Sequence, residues 1–279
     1  MKIVLVGMFL AGCRGCEPTA ASGSSGAGQG AAPSTPPAKK PGVLLGSVRL
    51  APGHQLPAYS SALMERKVLA HIDHGTFPTT CTPPKVADRQ PVRATADGKL
   101  IGVLVTASDF SHNPERAPRT YDVAIEDCRL TPSFIAAQKG DSLRITNRVN
   151  FPFMPTFGPT ALVETLVPGQ KLDVPLNTPG VNDVLCGFTA PCGRTDVVVL
   201  QHPLYAVTDE HGDFRIDDFP VGETVHVNAW HPLFDAQELS VRVESGSAQK
   251  LDFVITPVAG SELAASPTQA TQAPASSKP

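Results

Sequence analysis

Prolines interrupt this chain so often that long helices are excluded from most of it. The 28 prolines are spread over the sequence, and a proline inside a helix removes a hydrogen bond and clashes with the preceding turn. No amphipathic helical pattern extends beyond about two turns, apart from the one candidate named below. Short β-branched runs separated by turn signals such as ADGK, KGDS, VPGQ and DEHGD therefore predict an all-β fold of one or two sandwiches.

Eleven segments are predicted as strands because they alternate or form short apolar blocks. They are residues 44–50, 100–107, 120–125, 142–147, 171–176, 181–186, 196–200, 213–216, 224–229, 239–244 and 250–255. The one helical candidate is residues 60–71 (SSALMERKVLAH), where Ser60 or Ser61 could cap the N-terminus.

The two ends of the chain differ in composition from the middle. The opening MKIVLVGMFLAGC has a basic residue, a short apolar run and small residues before Cys13, which predicts a lipoprotein signal peptide over 1–12 and lipidation of Cys13. Residues 13–42 are rich in Ala, Gly, Ser and Pro and predict a flexible tether, with an r.m.s. reach of about 30 Å. The tail, residues 259–279, has the same character and is predicted to be disordered.

The cysteines predict two disulfides. Of the six cysteines, Cys13 is the lipid site and Cys16 is either free or a second acylation point. Export places the other four in an oxidising compartment, where disulfides persist. Four cysteines allow three pairings, but two of them flank one short loop, which favours Cys186 with Cys192 and leaves Cys81 with Cys128.

Several function classes are disfavoured by what the sequence contains. The net charge of −3 comes without a basic stripe, so no nucleic-acid partner is expected. No G-x-S-x-G motif or phosphate-binding glycine loop occurs, so no catalytic residues are predicted and a non-enzymatic role is favoured. His71 and His74 form an H-x-x-H without a third ligand. An acidic hairpin does not match the spacing of an EF-hand; its carboxylates are Asp209, Glu210, Asp213, Asp217 and Asp218.

A stretch in the middle of the chain resembles cupredoxins. The run DCRLTPSFIAAQKGDSLRITNRVNFPF, followed by VLCGFTAPCG, is similar to the domain of exported plastocyanin-type and methylamine-utilisation-type proteins. Pro132, Gly140, Asn147 and Cys186 match its pattern. The resemblance implies a cupredoxin-like Greek-key sandwich over residues 127–200, a fold that in this family holds copper.

The following stretch resembles another β-module. The run AVTDEHGDFRIDDFPVG is similar to the carboxypeptidase regulatory-like or transthyretin-like module, which is predicted here over residues 201–258. In this pattern Gly212 provides the unusual backbone angle of a turn, and Phe214 and Ile216 point to one face. Residues 43–126 match only weakly and are described as an N-terminal β segment; whether they form a separate domain stays open.

Residue by residue, the resemblance to a copper site fails. Phe153 or a neighbour stands where the family has its first histidine, Thr189 where the loop histidine falls, and Cys192 where the methionine falls. A single thiolate cannot hold copper without imidazoles. No metal or other cofactor is therefore expected. The alternative is a copper site that recruits His202 and His231 to Cys186, although both histidines lie in His-Pro dipeptides for which strand-edge packing or a hydrogen bond is the preferred interpretation.

These observations predict a non-enzymatic lipoprotein of the cell envelope, anchored in the outer membrane of a Gram-negative bacterium. It would act as a binding or structural module with a degenerate copper site. Its partner would be an envelope protein or polysaccharide, which the sequence does not distinguish. The alternative function is a periplasmic copper-binding or electron-transfer protein of the cupredoxin type.

Overall fold

The computed structural model describes residues 40–59, 79–82, 90–158, 165–186 and 192–261, and it contains eighteen strands. The strands are β1 (Gly42–Leu50), β2 (Arg93–Ala94), β3 (Leu100–Ile101), β4 (Leu104–Ser108), β5 (Thr120–Glu126), β6 (Arg129–Thr131), β7 (Phe134–Gln138), β8 (Asp141–Asn147), β9 (Pro155–Phe157), β10 (Lys171–Leu176), β11 (Gly180–Cys186), β12 (Arg194–Leu200), β13 (Tyr205–Val207), β14 (Asp213–Phe219), β15 (Thr224–His231), β16 (Phe234–Arg242), β17 (Ala248–Lys250) and β18 (Phe253–Ile255).

The predicted all-β fold is confirmed, since none of the described residues is helical. The helical candidate at 60–71, His71 with His74, and the lipidation site Cys13 all lie outside the described residues. Within the described ranges no helix is long and apolar enough to cross a membrane.

The first of two sandwiches, here called the host sandwich, is built from both ends of the folded chain. In one sheet β1 lies between antiparallel β14 and parallel β17, and it also pairs in parallel with β18. The other sheet has the order β13-β4-β15-β16. Buried apolar side chains from both sheets form one core, because strands such as β15 alternate buried and partly exposed residues.

This pairing answers the question that the sequence left open for residues 43–126. The segment contributes β1 to β4 to this sandwich, and the predicted regulatory-like module supplies β13 to β18. The last strand of the segment, β5, belongs to the second sandwich described below. Strand β1 has its hydrogen-bonded neighbours in β14, β17 and β18, so the two segments share one core. The predicted boundaries at 126 and 201 therefore do not enclose separate sandwiches, because β1 to β4 share a core with β13 to β18 and β5 lies before residue 127 although it belongs to the second sandwich.

The turn chemistry predicted for the host sandwich is present. Gly212 has a φ of 71°, in the left-handed region, and its amide donates a hydrogen bond of 2.9 Å to the carbonyl of Asp209. A Cβ at this position would lie 2.4 Å from the Cβ of Lys99. Phe214 and Ile216 are both buried on one face of β14, as the alternation of a strand requires.

The second sandwich, here called the inserted sandwich, consists of β5 to β12. One sheet has the order β10-β8-β5-β6 and the other β7-β12-β11-β9. Two of its strand pairs are parallel, β5 with β8 and β7 with β12, and the others are antiparallel. A separate apolar core fills the space between the two sheets.

The inserted sandwich interrupts the host between two neighbouring strands. Strand β4 ends at Ser108 and β13 begins at Tyr205, yet the two are antiparallel partners, with Thr106 opposite Tyr205. A small third core, with Leu104 from the host and Phe134, Ala136 and Val198 from the insert, packs β4 against β7 and β12. The chain thus leaves and re-enters the host at one edge of a continuous sheet.

Candidate functional site

Both predicted disulfides are formed. Cys81 is bonded to Cys128, with their Cα atoms 5.6 Å apart, and Cys186 is bonded to Cys192, with their Cα atoms 5.2 Å apart. The first bond joins a segment that precedes β2 to the turn between β5 and β6. At this turn the amide of Thr82 also donates a 2.8 Å hydrogen bond to the Asp127 carboxylate. The second bond joins the end of β11 to the chain just before β12.

Phe153, which by the sequence resemblance stands at or next to the first histidine of the family, lies in the interior of the inserted sandwich. Its side chain is fully buried, and its ring lies edge-on to Phe151 at a centroid distance of 5.6 Å. Its backbone exchanges two hydrogen bonds with Leu166, of 3.1 and 2.8 Å. These contacts fix the ring in the core.

Asn147 holds the loop that presents Phe153. Its buried side-chain amide donates hydrogen bonds of 2.8 Å to the carbonyls of Phe151 and Leu166, and its Oδ1 accepts one of 2.9 Å from the Val149 amide. A buried amide that is satisfied in this way gives the loop one conformation. Asn147 matched the sequence pattern, but this clamping role was not predicted from it.

The residues that stand at the copper-ligand positions of the resembled family do not fit a copper ion. The sulfur of Cys186 is used in a disulfide, and the ring of Phe153 has no lone pair to donate. A type 1 site needs a thiolate and imidazole nitrogens. Thr189, with the rest of residues 187–191, lies outside the described residues.

The structure does not bring the alternative ligands together. Among the described residues, which include Cys186, His202 and His231, no group of three or more His, Cys, Asp or Glu side chains is arranged to hold a metal ion. Instead, the two histidines make the same local contact. The Nδ1 atom of each accepts a 3.2 Å hydrogen bond from the leucine amide two residues later, Leu204 and Leu233. The repeated His-Pro-Leu sequence is the signal for this turn.

His231 is the more buried of the two histidines. It lies between the rings of Phe134 and Phe234, at centroid distances of 5.2 and 6.0 Å. Burial, with a smaller effect from the positive charge of Arg194, lowers the pKa of His231 to about 3. The ring is therefore neutral at physiological pH, and its Nε2 has no hydrogen-bond partner in the described part of the chain.

The acidic hairpin uses its carboxylates within the turn. Asp209 Oδ1 accepts hydrogen bonds from the amides of His211 and Asp213, at 2.8 and 3.0 Å. Asp213 also pairs with Lys99 at 2.8 Å, and Asp217 pairs with Arg215 at 2.7 Å. These contacts are those of ordinary turn and surface carboxylates.

Sequence reasoning missed two buried carboxylates. Asp141 begins β8 and accepts four hydrogen bonds, two from the Arg116 guanidinium, at 2.8 and 2.5 Å, and one each from the amides of Arg119 and Gln138, at 2.8 and 2.6 Å. Arg116 also donates a 3.1 Å bond to the hydroxyl of Tyr205 in the host sandwich. From the sequence, Asp141 is interpreted only as part of the turn signal KGDS.

The second carboxylate, Asp196 in β12, is also completely buried. It accepts hydrogen bonds from the Tyr59 hydroxyl and from Arg194, whose Nε lies 2.9 Å from Oδ1. The Arg194 guanidinium also lies 4.4 Å from the centroid of the Tyr59 ring and bonds Asp183 at 2.8 Å. Burial raises the pKa values of both Asp196 and Tyr59. This cluster ties residue 59 of the N-terminal segment to the inserted sandwich.

A cleft of about 680 Å³ lies where the chain crosses between the sandwiches. It is lined by the end of β4 and the following residues, by the end of β12 and the following residues, and by Pro179. We call it the crossover cleft; Asp109, Phe110, Gln201 and His202 are among its lining residues.

No protein-family model matches the chain, and a search of curated proteins found no match. Among solved structures, amicyanin from Paracoccus versutus is 20% identical over 29% of this chain and 80% of its own, with a TM-score of 0.27. A purple cupredoxin from Nitrosopumilus maritimus is 17% identical over 28% of this chain and 98% of its own, with a TM-score of 0.25. A copper-containing nitrite reductase from Thermus scotoductus is 14% identical over 35% and 26% of the two chains, with a TM-score of 0.27. Likeness at this level carries no conclusion about function.

Proposed function

We propose that this protein is a non-enzymatic, lipid-anchored binding module of the cell envelope, in which the metal position of a cupredoxin-like sandwich is closed. The observation that carries the proposal is the pair of replacements in the inserted sandwich. A fully buried Phe153 stands in place of an imidazole, and Cys186 is bonded to Cys192 rather than free as a thiolate. Both changes turn a ligand position into a packing or cross-linking position.

The buried polar groups support the same interpretation. Asp141, Asp196 and Asn147 are each satisfied by neighbouring groups of the chain, so they serve to fix the loops and the junction of the two sandwiches. A pair of sandwiches with a packed junction, carried on an N-terminal lipid anchor, suits a protein that presents a surface to envelope components. The composition of residues 13–42 supports a tether between the two.

Titration with Cu(II) tests the closed metal position. We expect the non-reduced full chain to bind Cu(II) no more tightly than about micromolar and to form no intensely coloured complex, because the sulfur of Cys186 is bonded to Cys192 and provides no thiolate at this position. The measurement is visible absorbance together with calorimetry. A chain carrying both His202→Ala and His231→Ala is the matched control, since it removes the imidazoles that the alternative function needs. A stoichiometric coloured complex that this control loses would replace the proposal with copper binding or electron transfer.

Membrane fractionation tests the anchor. We expect Cys13→Ala to move the protein from the membrane to the soluble fraction, because the lipid-bearing residue is lost and the apolar run that precedes it is too short to span a bilayer. Cys16→Ala is the matched control and should remain with the membrane. If the Cys13→Ala protein stays with membranes after a high-salt wash, the anchor assignment is wrong. Release by Cys16→Ala alone would show that a second acylation is required.

A further inference from the structure

The crossover cleft is lined by polar side chains that do not stabilise the fold through hydrogen bonds or ion pairs. The side chains of Ser108, Asp109 and Gln201 make no hydrogen bond or ion pair within the described residues, and all three line the cleft. By contrast, the carboxylates that line another groove of the host sandwich are paired: Asp97 with Arg49, Asp213 with Lys99 and Asp252 with Lys250. Unused polar groups that converge on a cleft are a feature of ligand sites.

His202 adds a donor to this set. Its Nδ1 accepts the Leu204 amide at 3.2 Å, so the neutral ring carries its proton on Nε2. Burial lowers the pKa of His202, which keeps the ring neutral at pH 7. The ring also packs edge-on against Phe110, with 5.0 Å between the centroids. A donor and an aromatic surface are thus fixed side by side.

The backbone at Asp109 is unusual. Its φ is 57°, a left-handed conformation that residues other than glycine rarely adopt, although Asp and Asn tolerate it better than most. The conformation directly follows β4, where the chain leaves the host sandwich. It places an exposed carboxylate, without a basic partner in the described part of the chain, on the wall of the cleft.

The side chains that line the cleft favour some classes of ligand over others. The lining contains no lysine or arginine, so phosphate and carboxylate ligands would meet the negative charge of Asp109 without a positive charge to offset it. Acceptors on Asp109 and Gln201, and donors on Gln201 and His202, match hydroxyl groups, which both donate and accept. Phe110 and Leu200 offer apolar contact for the C–H faces of a ring. The volume of about 680 Å³ is within the usual range for small-molecule sites.

We propose that the crossover cleft binds a neutral oligosaccharide, with Asp109 and Gln201 bonding its hydroxyls and Phe110 packing on a ring face. This deepens the proposed function, on which it rests, by naming the ligand class of the binding module. Because the cleft is formed where both chain crossings meet, a bound sugar would contact the host and the inserted sandwich together. The site would thus belong to the joined pair of sandwiches.

Calorimetric titration of the full chain, in a detergent without a sugar head group, tests this proposal with maltotriose, cellotriose and chitotriose as probes. We expect at least one to bind with a dissociation constant below about 1 mM. Asp109→Asn, which the left-handed backbone tolerates, and Gln201→Ala should each weaken that binding by about tenfold or more. Asp235→Asn, an exposed carboxylate on β16, is the control and should bind like the parent. Thermal unfolding of each variant verifies that the fold is intact.

Two results of the sugar titration would overturn the proposal. One is that none of the three sugars binds, and the other is that binding is unchanged by both Asp109→Asn and Gln201→Ala. Binding of spermidine or inorganic phosphate in place of the sugars would assign a different ligand class and also overturn it. The copper titration distinguishes the failure of this proposal from the failure of the proposed function. A coloured copper complex would contradict the closed metal position. Absence of sugar binding, without such a complex, would contradict only the sugar site.

Discussion

Asp141→Ala is expected to destabilise the protein by about 3–5 kcal/mol, the usual loss when one partner of a buried ion pair is removed. The Asp141 side chain is 1% exposed and that of Arg116 is 14% exposed, and the two are joined by paired hydrogen bonds. The variant would leave the guanidinium without its carboxylate partner and would also leave the amides of Arg119 and Gln138 without their acceptor. Urea unfolding of parent and variant, monitored by circular dichroism, measures the difference.

The same sandwich offers a matched control. Arg144 and Asp173 also form a paired arginine–carboxylate contact, at 2.7 and 2.9 Å, but the two side chains are 38% and 56% exposed. Exposed pairs contribute little because water competes for both partners and salt screens them. Asp173→Ala should therefore leave the unfolding midpoint nearly unchanged. If Asp141→Ala and Asp173→Ala lose equal amounts of stability, the burial of Asp141 is not the cause of the destabilisation.

The pH dependence of stability provides a second measurement on Asp141. Burial by itself would raise the pKa of this carboxyl, but the Arg116 guanidinium and the backbone amides of Gln138 and Arg119 outweigh it and hold the pKa below the ordinary value of 3.8. A lowered pKa in the folded state means that the stabilisation is fully present above the unfolded-state value and is lost as the pH falls through the folded-state value. The parent should therefore lose stability below about pH 4 more steeply than Asp141→Ala does.

The strand pattern of this chain was predictable because it depends on local alternation. Residues 171–176 were predicted as a strand with the bounds that β10 has, and β1, β5, β8 and β11 differ from their predictions by one or two residues. The predicted strand at 100–107 is divided, because Gly102 has a φ of 91° and its amide bonds the carbonyl of Thr208 rather than a neighbouring strand of the segment. Strand β7 was not predicted, since all but its last residue are buried and it therefore lacks the alternation of a half-exposed strand.

The pairing of the strands was not predictable from the same signals. Val48 of β1 lies opposite Phe253 of β18, and no local pattern indicates a partner about two hundred residues away. The insertion of one sandwich between β4 and β13 of the other depends on such pairings, so it could not be predicted for the same reason. Likewise, a single Asp141 or Asp196 in the sequence does not reveal whether an arginine and backbone amides will surround it. Cys186 and Cys192 were an easier case, because their short separation restricts the pairing.

Removing the Cys81–Cys128 disulfide, with both residues changed to serine, should cost about 4 kcal/mol of stability. The bond closes a loop with a sequence separation of 47 residues, and the loss of loop-closure entropy in the unfolded chain gives about 4 kcal/mol for that length. The Cys186–Cys192 bond, with a separation of 6, gives about 2 kcal/mol on the same relation. Chemical unfolding of the two double-serine variants under non-reducing conditions compares these losses directly. A larger loss from the short loop than from the long one would show that packing around Cys186 and Cys192, which are both buried in the core of the inserted sandwich, outweighs the restriction of the unfolded chain.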